Sequence, residues 1–222
     1  MLQYRQGLYC NGIVTIRQSF TEMKIVMGEY EMLSNVRIGV GMTGSFCTFE
    51  KSFQTIQALK EKGAVITPIF SGKTQDVSCR FGDTKEFMER IETITGKTPM
   101  CSIEEAESVG PGRLFDVFLL MPCTGNTLAK LANGITDTPV LMGAKAHLRN
   151  NLPLVIFIST NDGLGMNLKN IGILLPSKHI FFVPFGQDNP LKKPNSLVAY
   201  PQLVEETILE ALEGRQIQPV LR

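Results

Sequence analysis

A glycine-rich turn that carries two hydroxyl side chains is the first feature of this sequence that could do chemistry. The segment 39–44 has the spacing G-x-G-x-x-G, and it follows a short apolar run and precedes a helical pattern. In that setting glycine lets backbone amide groups at a helix N-terminus approach a phosphate. The plain alternative is a turn required only for packing a strand against a helix. We predict that the turn binds phosphate through Gly41, Thr43, Gly44 and Ser45.

The kind of phosphate ligand follows from the second apolar segment. A dinucleotide site expects an acidic residue about 20 residues after the glycine turn, where it holds the ribose hydroxyls. The second segment instead ends in Ile69-Phe70-Ser71-Gly72-Lys73, and the nearest acid, Asp76, comes several residues later. A turn lined by hydroxyls, with Ser71 opposite, suits a terminal phosphate monoester. The sequence therefore favours a mononucleotide such as FMN over NAD.

A second polar turn, residues 122–127, follows the apolar segment 116–121 and begins a helical pattern. Helix capping explains one Ser, Thr or Asn at such a position. This turn carries three polar residues and a glycine, which favours a ligand-binding role. Its candidate residues are Pro122, Thr124, Gly125, Asn126 and Thr127.

A third polar turn, residues 159–163, follows the apolar segment 154–159. As an ordinary turn it needs no function. Because the carboxyl ends of parallel strands meet at one edge of a sheet, its position makes Asn161 a further candidate for binding the ligand.

Several charged and reactive side chains have weaker claims. An anionic substrate requires a cation, and arginine binds a carboxylate through two parallel hydrogen bonds. Arg80 lies in the same loop as Ser71, so we expect it to bind the substrate. Cys123 has no histidine nearby in the sequence, and we expect a small polar filler at the ligand's edge rather than a nucleophile. The segment 192–194 is expected to be a loop that contacts another subunit or covers the substrate. No residue is assigned a catalytic role.

The elements that must position these turns alternate between strands and helices. Short apolar runs predict strands at 36–41, 64–70, 116–121, 154–159 and 180–183, and Pro68 places the second of them near a sheet edge. Helical apolar stripes separate most of these runs. This alternation predicts right-handed βαβ units, and thus an α/β fold with a doubly wound parallel sheet. We expect a single domain at 32–222, preceded at 1–31 by an extension that is either upstream sequence or an arm on a neighbouring subunit.

Composition excludes several classes of protein. The 222 residues are 43% hydrophobic and 19% charged, which is incompatible with disorder. A net charge of +1 argues against nucleic acid as a partner. No apolar run reaches the roughly 18 residues of a membrane span. Two histidines and five cysteines without a C-x-x-C pair predict no metal site and reduced, cytosolic thiols.

The three polar turns together resemble a known family. GMTGS after the first strand, Ser71 after the second and PCTGNT after the third are similar to the homo-oligomeric flavoproteins, which include phosphopantothenoylcysteine decarboxylase, peptidyl-cysteine decarboxylases and flavin prenyltransferases. PCTGNT matches their P-A-S-A-N-T loop, and the turn at Asn161 loosely resembles their P-x-M-N segment. Longer strings, above all FGQDNPLKKPNSLVA, resemble the family of dipicolinate synthase B subunits from endospore-forming bacteria over about residues 36–222.

The resemblance implies a Rossmann-like fold of the flavodoxin type, an FMN cofactor and trimer-based homo-oligomers. It implies oxidation of dihydrodipicolinate, a small dicarboxylate, to dipicolinate in the mother-cell cytosol of a spore former, together with a partner that resembles the A subunits of dipicolinate synthases. One departure matters, because the decarboxylases use a histidine after the second strand, where residues 76–84 have none. Decarboxylase or prenyltransferase activity and a non-catalytic partner role remain the alternatives.

Overall fold

The computed structural model describes residues 32–75 and 83–222. Strands and helices alternate through most of this part of the chain. The strands are β1 Arg37–Met42, β2 Val65–Phe70, β3 Val117–Cys123, β4 Leu154–Thr160, β5 Ile180–Phe182, β6 Phe185–Asn189 and β7 Lys193–Ala199. The helices are α1 Phe49–Glu61, α2 Gly72–Gln75, α3 Thr84–Thr95, α4 Ile103–Glu107, α5 Val109–Gly112, α6 Gly125–Ala132, α7 Pro139–Leu148, α8 Leu168–Leu174 and α9 Val204–Leu212. Short 3-10 turns at Phe46–Thr48 and Pro201–Leu203 precede α1 and α9.

The parallel part of the sheet confirms the predicted α/β class. Its strands run in the order β2-β1-β3-β4, and β5 pairs with the first residues of β4. This is the flavodoxin-like order 2-1-3-4-5, in which β2 lies on one side of β1 and the later strands follow on the other side, starting with β3. Ligands of such sheets bind between β1 and β3, where the strand order switches sides, beyond the carboxyl ends of the strands. The first and second polar turns follow β1 and β3, so the topology brings them together.

Strand β2 lies at one edge of the sheet, as Pro68 predicted. Proline lacks an amide hydrogen and is tolerated where the outer side of a strand is free of a full partner strand. The Pro68 carbonyl accepts a hydrogen bond from the Met100 amide, and the Met100 carbonyl accepts one from Phe70. A single isolated bridge therefore replaces a strand on this side.

The other edge differs from the prediction. Residues around Lys192, Lys193 and Pro194 are not a simple loop, because they form the tip and outer end of an antiparallel hairpin of β6 and β7. Strand β7 pairs with β4 at only two positions, Ser159↔Val198 and Thr160↔Leu197. Pro194 lies beyond this contact, where a missing amide hydrogen costs no bond to β4. The sheet is thus mixed rather than wholly parallel.

The core lies on both faces of the central strands. Every residue of β3 and β4 is buried, as expected for strands covered by helices on both sides. Phe118 and Phe157 are fully buried, and such side chains each stabilise the fold by roughly 1.5–3 kcal/mol. Helix α3 begins with a capping box of Asp83 and Glu86 and ends at Gly96, whose φ is +70°. These caps and this core hold the carboxyl ends of the strands in fixed positions. No helix in the described ranges is long and apolar enough to cross a membrane.

Candidate functional site

A cavity of about 680 Å³ lies at the carboxyl ends of β1, β3 and β4, with the β6–β7 hairpin as a further wall. Its volume is within the roughly 300–1,000 Å³ of small-molecule sites. Six of the predicted ligand residues line it: Gly44, Ser45, Thr124, Gly125, Asn126 and Asn161. The structure therefore brings together residues from three turns that are far apart in the sequence.

The glycines of the first turn have different surroundings. A Cβ added at Gly39 would enter the Phe115 ring, and one added at Gly41 would meet the side chains of Val140 and Leu120 at 2.8 and 2.9 Å. These two glycines are needed for packing, and Gly41 does not line the cavity. A Cβ at Gly44 would meet only the Phe46 ring, at 3.8 Å. Gly44 alone of the three therefore presents open backbone to the cavity.

Thr43 is buried and joins the first two turns instead of facing the cavity. Its hydroxyl donates to the Pro122 carbonyl at 2.7 Å and accepts from the Thr124 amide at 3.0 Å. Thr43 and Pro122 are thus joined by a buried hydrogen bond that links the two turns. Ser71 is also buried, with its amide on the Met42 carbonyl and its hydroxyl 3.3 Å from that of Thr74. Thr43, Pro122 and Ser71 lie behind the cavity wall.

The second turn divides into capping residues and an exposed amide. The Thr124 hydroxyl accepts from the Thr127 amide at 3.3 Å and lies 3.0 Å from the Thr127 hydroxyl, so these two residues cap α6. Asn126 is exposed, lines the cavity and makes no side-chain hydrogen bond to any described residue. Asn161 on the third turn is exposed in the same way. Their amides can both donate to and accept from a ligand.

The hydroxyl groups of three residues that line the cavity, Ser45, Thr48 and Ser159, lie close together. The Ser159 hydroxyl lies 2.8 Å from that of Ser45 and 2.6 Å from that of Thr48. Ser159 and Thr48 were not predicted as site residues. The sequence signal for Thr48 was its position three residues after Ser45 at the start of a helix. Ser159 is the last but one residue of β4, and only the pairing of the strands shows its proximity to Ser45.

Asp162 is a cavity residue that sequence reasoning named only as part of a turn. Its carboxylate accepts from the Thr160 hydroxyl at 2.5 Å and from the Asn167 amide group at 2.8 Å. A Cβ added at Gly125 would clash with this group, since it would lie 2.6 Å from the Thr160 hydroxyl and 2.7 Å from the carboxylate. Gly125 is therefore required for the close contact between the second and third turns.

The hairpin contributes an ion pair to the opposite wall. Lys193 and Asp188 line the cavity and are 2.6 Å apart, and this bond raises the pKa of the lysine. The Ser196 hydroxyl donates to the Thr160 carbonyl at 3.1 Å and holds β7 against β4. A turn signal, Asn189-Pro190, and the strand-like 193–199 could have identified this hairpin from the sequence.

Neither histidine nor the buried cysteine belongs to the site. His147 is buried and its Nε2 donates to the Pro153 carbonyl at 3.0 Å; burial lowers the pKa of this histidine to about 4. His179 is likewise absent from the cavity wall. Cys123 is enclosed at the end of β3, and burial raises the pKa of its thiol to about 12. Cys123, expected at the ligand's edge, is a core residue that does not line this cavity.

One predicted residue lies outside the described ranges. Arg80, the expected substrate-binding cation, falls within 76–82. Among described residues, no group of three His, Cys, Asp or Glu side chains could hold a metal ion.

Comparison with known proteins identifies the family. The Flavoprotein family profile matches residues 27–193. This chain belongs to the flavoprotein family. It is 48% identical over 189 residues to the B subunit of dipicolinate synthase from Bacillus subtilis, a match that covers 85% of this chain and 94% of that protein. The crystal structure of the B subunit of dipicolinate synthase from Bacillus halodurans is 46% identical, with a TM-score of 0.79 over 86% of this chain and 97% of that one. The FMN-dependent cysteine decarboxylase SpaF, 22% identical with a TM-score of 0.61 over 82% of this chain and 97% of that one, has the same fold.

Proposed function

We propose that this protein is an FMN-binding subunit of a dipicolinate synthase and takes part in the oxidation of dihydrodipicolinate to dipicolinate. The observation that carries the proposal is the 48% identity to a B subunit of dipicolinate synthase over 85% of this chain and 94% of that protein. The cavity formed by the three polar turns supplies the place for a ligand. On this proposal the protein acts in the mother-cell cytosol of a sporulating bacterium.

The residues of the cavity fit a flavin mononucleotide. Gly44 leaves open backbone where a phosphate requires close approach, and the Ser45 hydroxyl lies beside it. The exposed amides of Asn126 and Asn161 can pair with a ring edge that has both donors and acceptors. When bound, a flavin would supply the two-electron acceptor that removal of two hydrogens requires. The chain's own residues would hold the ring and exclude water from it.

Two features support a dicarboxylate substrate and protein partners. Lys51 and Lys193 line the cavity, and Arg80 stays our proposed substrate-binding residue. Apolar side chains are exposed near the third turn, with Met166 71% and Leu168 51% accessible. Exposed apolar surface of this kind is typical of a subunit interface. We propose a trimer-based homo-oligomer that works with a partner similar to the A subunits of dipicolinate synthases.

The absence of a suitably placed histidine argues against a decarboxylase of the same fold. The resemblance places a histidine after the second strand in those enzymes, and residues 76–84 contain none. His147 cannot replace it because it is buried in the core against Pro153. A partner protein without its own catalysis is the alternative that experiment must separate from the proposal.

Titration of the purified protein with FMN, FAD and NAD, followed by an assay with the partner protein, tests the proposal. We expect FMN to bind more tightly than the other two, and dipicolinate to form only when both proteins and FMN are present. Tighter binding of NAD would contradict the cofactor assignment. A chain that binds no flavin yet raises the turnover of its partner would be a non-catalytic subunit.

A further inference from the structure

Not every charged side chain of the cavity forms an ion pair with another one. Four of them line it in the described part of the chain: Lys51, Asp162, Asp188 and Lys193. Asp188 and Lys193 form an ion pair at 2.6 Å. Asp162 has no cationic partner among the described residues, although its side chain is partly buried. A partly buried carboxylate without a cation is stabilised by hydrogen-bond donors, and a ligand can supply one of them.

The donors that surround Asp162 leave one acceptor position open. Its Oδ1 accepts from the Thr160 hydroxyl at 2.5 Å and from Asn167 Nδ2 at 2.8 Å. Among the described residues, its Oδ2 accepts only from Asn167 Nδ2, also at 2.8 Å. Each carboxylate oxygen has two lone-pair positions, so Oδ1 is filled and Oδ2 can accept once more. Asp162 lines the cavity, where a ligand can reach it.

A chain of buried amides fixes the direction of this carboxylate. Because Asn167 turns its amide group towards Asp162, its Oδ1 is left to accept from Asn170 Nδ2 at 2.8 Å. Asn170 Oδ1 then has no partner among the described residues. Both asparagines are more than nine-tenths buried. Their orientation follows from the charge on Asp162, and Asn167 is a positioning residue for it.

Asp162 differs in kind from the other polar groups that line the cavity. The amides of Asn126 and Asn161 and the hydroxyl of Ser45 can donate as well as accept. An ionised carboxylate can only accept, and Asp188, the other carboxylate of the wall, is already paired with Lys193. A ligand group that only donates, such as the N–H of a heterocyclic ring, is therefore best matched by Asp162.

We propose that the Asp162 carboxylate accepts a hydrogen bond from the ring N–H of the bound flavin and so sets the orientation of that ring in the cavity. The inference rests on the proposed function, because it takes the ligand to be a flavin. An oxidised flavin ring has a single N–H, at N3, which makes the contact specific. The same carboxylate repels an anionic group from this wall, so a phosphate or a substrate carboxylate binds elsewhere in the cavity.

The test compares FMN with FMN methylated at N3 by fluorescence titration. We expect the wild type to bind FMN roughly five-fold or more tightly than the methylated compound, the effect of one good hydrogen bond. Asp162→Asn should remove this preference by weakening the binding of FMN alone, because the Thr160 and Asn167 donors hold its single oxygen and leave an NH₂ group at the Oδ2 position. Asp188→Asn is the matched control, since it changes the other cavity carboxylate, and it should keep the preference.

Four results would count against the inference or its basis. Equal binding of the two compounds by the wild type would overturn the inference, as would a preference retained by a folded Asp162→Asn variant. If Asp162→Asn does not fold, Asp162→Glu moves the acceptor by one methylene and should lower the preference; an unchanged ratio overturns the inference. No binding of FMN by the wild type would instead contradict the proposed function.

Discussion

The hydroxyl of Thr43 donates a 2.7 Å hydrogen bond to the carbonyl of Pro122, and the two residues are 79 positions apart in the sequence. The same hydroxyl accepts from the Thr124 amide at 3.0 Å. One buried side chain thus fixes the turn after β1 to the turn after β3 at the place where the sheet reverses direction. The shape of the cavity depends on these two hydrogen bonds, because Gly44 and Asn126 lie on the two turns that they join.

Replacing Thr43 with valine should destabilise the protein and weaken ligand binding together. Valine has nearly the same shape but leaves the buried Pro122 carbonyl without this partner, which costs about 1–3 kcal/mol. Chemical unfolding in urea measures the loss. Thr43→Ser keeps the hydroxyl and is the control, with the smaller effect of a missing methyl group. Equal stability of the valine and serine variants would show that the hydrogen bonds contribute nothing.

Two glycines of the first turn should respond differently to valine. Gly44→Val has room for its side chain within the protein, so we expect an unchanged free energy of unfolding and a strong loss of FMN affinity. Gly41→Val would collide with Val140 and Leu120, so we expect it to unfold or lose several kcal/mol. Unfolding curves and FMN titrations of both variants check this. Normal FMN affinity in a folded Gly44→Val variant would mean that no phosphate approaches this backbone.

The sequence predicted those parts of the fold that local pattern specifies. The apolar run 116–121, for example, reads as a buried strand because helices cover both of its faces. The capping box at Asp83 and Glu86 is of this kind, because both partners lie within one helical turn. The site segments followed from the rule that ligands bind at the carboxyl ends of parallel strands.

The parts that were not predicted depend on contacts between distant residues. Gly41 and Gly44 belong to one motif, yet only the packing of Val140 and Leu120 shows that the first is a core residue. The sequence gives no sign that Asp162 lies against the second turn, because Gly125, the glycine that accommodates it there, is far away in the sequence. Sequence spacing identifies which turns meet; it does not identify which side chains face the cavity.

The thiol of Cys47 should report occupancy of the cavity. Cys47 is exposed and lines it, whereas Cys123 is enclosed and has a pKa raised to about 12 by burial. A chromogenic disulfide reagent should therefore modify Cys47 at least roughly ten-fold faster than Cys123. Saturating FMN should protect Cys47. Peptide mapping by mass spectrometry assigns the rates, and Cys101, which is outside the cavity, serves as the control for unspecific protection. Equal rates at Cys47 with and without bound FMN would contradict this position for the ligand.

Stability should fall in mild acid because His147 is buried as a neutral side chain. Its pKa is about 4 in the folded protein, below the ordinary value of 6.5. Between these two pH values the unfolded chain therefore binds a proton at this histidine that the folded protein does not bind. The stabilisation is fully present above pH 6.5 and is lost as the pH falls towards 4, by about 3 kcal/mol in all. Urea unfolding at several pH values measures this slope. His147→Gln should flatten it, and His179→Asn, at a position with a φ of +61° that asparagine tolerates, should not. An identical slope in wild type and His147→Gln would contradict the prediction.

Asn126→Asp separates ligand binding from helix capping in the second turn. Thr124 caps α6 without help from Asn126, whose exposed side chain makes no hydrogen bond to a described residue. The aspartate should therefore leave the free energy of unfolding within about 0.5 kcal/mol of wild type, and a negative charge in the first helical turn is itself favourable. It removes two N–H donors and adds a charge in the cavity, so we expect at least a several-fold loss of FMN affinity, in line with about 0.5–1.5 kcal/mol for a lost hydrogen bond.

Asn133→Asp, at the other end of α6 and outside the cavity, is the matched control and should bind FMN normally. If Asn126→Asp binds FMN as wild type does and supports dipicolinate formation with the partner protein at the normal rate, the second turn does not contact the flavin.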